Sequence, residues 1–478
     1  MIKRYGCIIL AAVMVSMLLL AACAPDGDID EMYSIPELTS KEASQEESEP
    51  EIPVEAGQAH APKVSDIVHV TPQTVIIAGS CDEGCTVTVT DGDTSSSAAS
   101  VGGYFILEYT INSTNFSILS ATAESDELTK SPITNFRVEY NATAMKRIDG
   151  YGANVGTDSH VYYDYDLASY TGVINNIDGT TSSTLLTQTE LKAFRTRVEN
   201  YLKNFRRRAD RTDVDIIYVL IPNKVSVYPE YLAEGTTQQN YKTRYEQIVE
   251  SLGMTGVVTL DMRPIFEEEK AKGSKIYYDT DSHLTEYGGY VVYKAICDIM
   301  AERFPTAAAR DLETEFTAEE KTVYAGDVIR HLGLNSHNIT ETSTFYTPKF
   351  SLRMGTEDEK LKTTSGYINK FDKYASKDSM VLASGVNTLD FKLLFATNRP
   401  KQPCALIYRD NFATNFSDIL CERFNRVMLN KTGDYNINLT DTQRYYGYNS
   451  EGKENKTVDY IIIICSESNL DLIAKTNS

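Results

Sequence analysis

The sequence predicts an α/β fold, with a mostly parallel sheet flanked by helices and a small β-sandwich ahead of it. Three observations carry that reading. From about Lys146 onward, helix-period stretches alternate with short runs that are apolar throughout, as strands buried on both faces are. Between Val64 and about Tyr140 the pattern is instead one of short β-rich runs parted by Gly- and Asp-containing turns. A length of 478 residues is enough for two or three cores of ordinary size.

Residues 1–22 read as a leader. Lys3 and Arg4 precede an apolar run from Ile8 to Leu20 that is short for a membrane span, and Leu20-Ala21-Ala22-Cys23 is a small-residue cleavage site ending in cysteine. The pattern is that of a bacterial lipoprotein signal, with Cys23 as the lipidated N-terminus. A plain secretory signal or an uncleaved anchor is the alternative; all three place the chain outside the cytoplasm, and the lipid anchor would hold it at the cell membrane. Residues 23–63 are acidic, rich in Glu, Ser and Pro, and poor in aromatics, so they cannot bury enough surface to offset ordering entropy and should form a disordered tether. This stretch holds nearly half of the formal charge of −21. A balance so negative argues against nucleic acid and against a basic docking face for anionic lipid.

In residues 64–142 the runs Thr74–Ala78, Thr86–Thr90, Tyr104–Ile111, Phe116–Ala123 and Ile133–Tyr140 suit an immunoglobulin-like sandwich, serving as spacer or binding module. Cys81 and Cys85 flank Asp82-Glu83-Gly84 at a hairpin tip, and outside the cytoplasm a local disulfide is expected there. Two thiols without a further Cys or His pair do not make a metal site. Cys297, Cys404, Cys421 and Cys465 fall in apolar patterns and read as buried small hydrophobes, with a bridge from Cys404 to Cys421 or Cys465 left open.

Residues 143–478 form the α/β part. Leu191, Phe194, Val198, Tyr201, Leu202 and Phe205 share one helical face, and Val214–Ile221 is a continuous apolar strand. A helix from Tyr241 to Leu252, stopped by Gly253, leads to the strand Gly256–Leu260. Further strands are expected at Ile276–Tyr278, Ala405–Tyr408 and Val458–Ile464, and helices at Tyr290–Phe304 and Phe416–Phe424, while 306–401 reads as a cap or insertion. Ligands of such sheets bind beyond the carboxyl ends of the strands. That rule gathers Asn223-Lys224, Asp261, Asp281 with His283, and Asp410-Asn411 at one edge.

Asp281 and His283 hold the chemistry. Residues i and i+2 of an extended segment project to one side, so this carboxylate can fix the tautomer of one of only six histidines, leaving the other ring nitrogen to take a proton. Four stretches then resemble the SGNH-hydrolase-like domain of the alginate O-acetylation proteins, AlgX and AlgJ type, and their Gram-positive DHHW relatives. They are Ile221-Pro222-Asn223-Lys224 with Val227-Tyr228-Pro229-Glu230; Asp281-Ser282-His283-Leu284-Thr285; Gly326-Asp327 with His331-Leu332-Gly333-Leu334; and Leu406 through Phe412. In that family the last motif reads Asp-Ser-Phe and its serine attacks an acyl carbonyl. Here the position is Asn411, whose amide nitrogen is delocalised and cannot be activated in the same way. The aromatic residue that follows the family's histidine is Leu284 here.

The resemblance implies acyl transfer on a cell-envelope or exported polysaccharide, alongside a membrane acyltransferase, with no cofactor and no metal. It assigns His283 as base, Asp281 as its orienter, the backbone around Asn411 as oxyanion site, and Asn223, Lys224 and Asp410 as substrate contacts. With the serine absent, three functions stay open: a glycan-binding protein with a disarmed cleft, an enzyme using Ser384, Thr414 or Ser417, or a surface interaction scaffold.

Overall fold

The computed structural model describes residues 54–144, 152–175, 181–350, 355–356, 392–396, 399–431 and 458–474, all within one unit, Glu37–Ser478. Cys23, the acidic segment before residue 54 and Ser384 lie outside the described residues. Seven strands come first: β1 Lys63–His69, β2 Thr74–Ser80, β3 Thr86–Thr90, β4 Ser95–Ala99, β5 Tyr104–Thr110, β6 Phe116–Glu124 and β7 Thr134–Glu139. They pair as two antiparallel sheets, β1-β2-β5 and β4-β3-β6-β7. Val75, Ile77, Phe105 and Leu107 of the first meet Val87, Val89 and Leu119 of the second in one core.

The other face of β2 and β5 is also covered. Ile76, Ala78, Tyr104 and Ile106 pack on Val161, Val328, Ile329 and Leu332 of the following chain. This explains why β2 is apolar at successive positions rather than alternate ones. The sandwich is therefore docked on the α/β part. It does not stand clear of it as a spacer would.

The expected Cys81–Cys85 bridge is not formed; both are free thiols. Cys85 turns fully into the sandwich core, while Cys81 stays at its edge and donates from Sγ to Asp82 O at 3.6 Å. Cys297, Cys404, Cys421 and Cys465 are buried, as their apolar contexts suggest.

Beyond the sandwich, the hairpin β8 Ala153–Val155 and β9 Val161–Tyr163 leads into α1, Asp164–Thr171, and a second small hairpin, β10 Val173–Asn175 with β11 Thr181–Ser183. Helix α2, Gln188–Ala209, opens with a reciprocal capping box between Thr187 and Glu190. Strand β12 Asp215–Ile221, helix α3 Arg244–Gly253, strand β13 Val258–Asp261, helix α4 Met262–Ala271 and helix α5 Glu286–Ala301 follow. The antiparallel pair β14 Phe316–Tyr324 and β15 Thr340–Pro348 brackets the short helix α6, Asp327–Leu332. The remaining strands are β16 Gly355–Thr356, β17 Lys392–Ala396, β18 Cys404–Arg409, β19 Arg426–Lys431 and β20 Tyr460–Ser466.

Seven of these make the large sheet, in the order β13-β12-β20-β18-β19-β17-β16. One register row runs Val258, Ile217, Ile462, Ile407, Leu429. Alternation then builds two cores. Ile217, Val219, Ile462 and Ile407 face Phe266, Val292 and Ile296, while Ile216, Tyr218, Ile461 and Leu406 face Phe194, Val198 and Ile248. The expected mostly parallel sheet holds for this sheet in part, with four of its six pairings parallel. Parallel pairing is confined to β13, β12, β20, β18 and β19, whereas β17 and β16 join antiparallel. With the sandwich and hairpins included, antiparallel pairs are the commoner kind among the described residues. Ile276–Tyr278 is not a strand of the sheet either; Tyr277 makes only an isolated bridge to Leu284. Among the described residues no helix is long and apolar enough to cross a membrane.

Candidate functional site

Because β12, β13, β18 and β20 run parallel, their carboxyl ends lie at one edge. Asp261 ends β13 and caps α4, accepting from Arg263 N and Tyr245 Oη. Asp410 follows β18. Its Oδ1 accepts from Phe412 N at 3.1 Å, and its Oδ2 accepts from Ser466 N at 2.7 Å and Asn469 Nδ2 at 3.0 Å. This carboxylate ties the turn carrying Asn411 to the end of β20.

The loop before α5 is held from three sides. Thr285 accepts from Gly288 N as the cap of α5. Asn415 Nδ2 donates to Leu284 O and Thr285 O, both at 3.1 Å, so the Asn411 turn and the histidine loop move together. Glu341 of β15, 1% exposed, accepts from Asp279 N, Thr280 N and Lys275 Nζ, and from Thr280 Oγ1.

Inside this frame Asp281, His283 and Asn411 form a chain. Asp281 Oδ1 lies 2.5 Å from His283 Nδ1 and also accepts from His283 N at 2.8 Å. Asp281 Oδ2 accepts from Asp327 N at 2.9 Å. On the other side of the ring, Nε2 lies 2.8 Å from Asn411 Nδ2. In the neutral ring, with the Nδ1 proton directed at the carboxylate, Nε2 is an acceptor and the Asn411 amide donates to it. Phe412 packs beside the ring, centroids 5.1 Å apart. Gly326 must be glycine: a Cβ there would stand 2.1 Å from Asp281 Oδ2.

Burial opposes charge throughout the site, and the partners decide who keeps it. For His283, burial acts to lower the pKa, but the carboxylates of Asp281, Asp327 and Asp410 outweigh it and raise it to about 9. Asp281 is likewise buried, yet His283 and the N–H groups of His283 and Asp327 hold it well below the usual carboxylate range. Burial and the nearby Asp281 charge push Asp327 up to about 6. Asp327 accepts from Ser282 N and Ser282 Oγ, both at 3.1 Å. Among the described residues, Asp281, His283 and Asp327 bring ligand atoms within 4.8 Å of one another, close enough to share a metal ion. As they stand, those atoms are engaged with one another and with the loop.

The other residues singled out from the sequence are placed differently. Asn223 is fully buried; its Oδ1 accepts from Ser468 N and Ser468 Oγ, and its Nδ2 has no protein partner. Lys224 Nζ, also buried, donates to Val161 O, Asp279 O and Asp281 O at 3.0, 2.5 and 3.4 Å, and burial lowers its pKa to about 8. Asn223 and Asp410 thus position loops, and Lys224 clamps the backbone that carries Asp281. Of the alternative hydroxyls, Thr414 Oγ1 accepts from Arg409 Nη1, and buried Ser417 Oγ donates to Ala413 O. Asp327, Glu341 and Asn415 were not assigned roles by the sequence. Gly326-Asp327 was visible as a motif, but nothing in the local pattern marks Glu341 or Asn415.

Comparison with known proteins came to the same region. Residues 181–363 match the family model described as the SGNH hydrolase-like domain of the acetyltransferase AlgX. A curated relative, the probable alginate O-acetylase AlgJ of Pseudomonas fluorescens, is 22% identical over 135 residues, which is 28% of this chain and 34% of that protein. The chain thus matches about a third of that relative's length. Among solved structures, a DHHW family protein from Eubacterium siraeum superposes with a TM-score of 0.42 at 17% identity, covering 67% of this chain and 98% of that one. The O-acetyltransferase domain of Pseudomonas putida AlgJ gives a TM-score of 0.37 at 15% identity, covering 68% and 94%. On the sequence matches, the chain carries an SGNH hydrolase-like domain of the AlgX/AlgJ type.

Proposed function

We propose that this protein binds an exported or cell-envelope polysaccharide as part of its acetylation, in a cleft that keeps the base and its orienter but has lost the nucleophile. One observation supports the reading above others: Asn411 Nδ2 stands 2.8 Å from His283 Nε2, where an attacking hydroxyl would have to sit. An amide there bonds to the imidazole in either protonation state, donating through Nδ2 to the neutral ring or accepting through Oδ1 from the imidazolium, but it cannot attack a carbonyl. Removing a triad nucleophile lowers turnover by orders of magnitude while leaving binding contacts in place. In this reading the immunoglobulin-like sandwich is a docked module that shapes the domain, a lipid on Cys23 holds the chain at the membrane, and a membrane acyltransferase is the partner that supplies acyl groups. Palmitate incorporation that persists in Cys23→Ser would remove the anchor from this account.

The test of the whole is incubation of the full chain with an O-acetylated polysaccharide, following acetate release together with retardation of the protein in a gel containing the polymer. Retardation without acetate release is expected. Acetate release that His283→Ala abolishes would instead mean that another hydroxyl is the nucleophile.

A further inference from the structure

A cavity of about 290 Å³ is lined by Asp279 together with His160, Tyr228, Tyr231, Lys270 and Lys275. None of these takes part in the Asp281–His283–Asn411 chain. Val101 of the sandwich closes part of it, so the docked sandwich helps to form the cavity.

Two of its polar groups point to a ligand. The His160 side chain is only 10% exposed, and its Nδ1 lies 2.9 Å from Asp158 O. A carbonyl oxygen only accepts, so Nδ1 holds the proton and Nε2 is a lone-pair acceptor. Burial, with the Lys224 charge, lowers this imidazole to about 4, which keeps it neutral. Nε2 approaches Asp279 Oδ1 at 3.9 Å, too far for a hydrogen bond and between two acceptors. Asp279 Oδ2 is already engaged by Lys275 Nζ at 2.6 Å. The cavity therefore presents two acceptors side by side with no protein donor between them.

Charge narrows what could fill the gap. A cation would face Lys224, Lys270 and Lys275, and an anion would face Asp279 and the His160 lone pair. Lys270 is moreover paired with Glu230, and Lys275 with Asp279 and Glu341. Uncharged hydroxyl groups fit both constraints, since they donate to the acceptors and accept from the lysines. The walls add flat aromatic surface. Tyr231 stacks on His160 at 3.7 Å and 5°, and Tyr228 stands 6.4 Å from Tyr231 at 27°, which suits the C–H face of a saturated ring.

We propose that this cavity binds a single neutral, hydroxyl-rich sugar ring, whose adjacent hydroxyls donate to His160 Nε2 and Asp279 Oδ1. The polysaccharide reading above supplies a source for such a ring, while the cavity's chemistry stands apart from any acetyl transfer. Lys224 joins the two sites, because its ammonium holds both Asp279 O and Asp281 O.

Titration of the full chain with methyl glucoside, followed by saturation-transfer NMR, tests the proposal against glucuronate and glucosamine as charged counterparts. Saturable binding of the neutral sugar in the millimolar range is expected, with both charged sugars weaker by about fivefold or more. Asp279→Asn, which turns one acceptor into a donor, should weaken it by about tenfold. Ser274→Trp, at the cavity wall, should block it even if Asp279→Asn alters the fold, as a melting curve would reveal. No saturation by the neutral sugar, tighter binding of either charged one, or undiminished binding in Ser274→Trp would each overturn the assignment. Sugar binding and acetate release are separate readouts, so failure of one reading leaves the other standing.

Discussion

Asn411→Ser should convert the full chain into an acetyl esterase whose turnover depends on His283. Nearly everything a serine requires is in place: His283 Nε2 faces position 411, Asp281 fixes Nδ1, and Asp410 and Asn415 pin the turn to β20 and to the histidine loop. The new Oγ would reach less far than the amide it replaces, so the gain should fall short of a full triad, at roughly a hundredfold or more above wild type against the ~10⁶ that an intact triad can supply. The pH profile adds a second signature. A general base must be neutral, and the folded pKa of His283 is raised to about 9, so activity should climb with pH and level off only near that value. Hydrolysis of a chromogenic acetyl ester across pH 6 to 10 checks both points. Equal rates in Asn411→Ser and in Asn411→Ser with His283→Ala would place the chemistry elsewhere. The same shifts set a stability window. The raised His283 contributes fully below its unfolded value of 6.5 and loses that contribution as pH rises through about 9; the depressed Asp281 contributes above 3.8 and loses it on acidification. Wild-type stability from this pair should therefore be greatest between those unfolded values and decline toward pH 9.

Gly326→Ala should nearly abolish the activity gained in Asn411→Ser, although residue 326 touches neither His283 nor any substrate. Its Cβ would stand 2.1 Å from Asp281 Oδ2 and 2.3 Å from Asp281 Cβ, distances no real contact tolerates. Asp281 is buried and bonded on both carboxylate oxygens, and it cannot swing away without releasing the histidine tautomer or the Asp327 amide. Loss of the orienting carboxylate costs up to about 10⁴ in rate where the rest of a triad is intact. The accompanying destabilisation should be about 2 to 4 kcal/mol, read as a shift in the denaturant midpoint. Undiminished turnover in the double variant would mean that Asp281 does not orient the base.

Much of this protein was legible in one dimension. The apolar runs that become β12, β18 and β20 are buried on both faces, so their composition alone distinguishes them from half-exposed strands. The Asp281-x-His283 spacing, combined with the rule that sites lie at the carboxyl ends of parallel strands, brought that pair and Asn411 to one edge. The reading erred where the determinants are not local. Ile276–Tyr278 has the composition of a strand, yet it has only Leu284 to pair with and stays a bridge. Cys81 and Cys85 have the spacing of a hairpin disulfide, but one thiol is drawn into the core and the other is left at its edge.

The sequence by itself determined the α/β core, the antiparallel sandwich before it, and the residue types Asp281, His283 and Asn411 that meet at one sheet edge, because composition, period and residue type are properties of the chain. Only the tertiary structure decided that the sandwich docks through the second face of β2 and β5, and that Lys224 and Glu341 clamp the loop. It also decided that His160 from one hairpin and Asp279 from the loop before α5 stand side by side in the wall of one cavity. These outcomes depend on residues far apart in sequence competing for the same space and the same hydrogen bonds, and no local pattern records who wins.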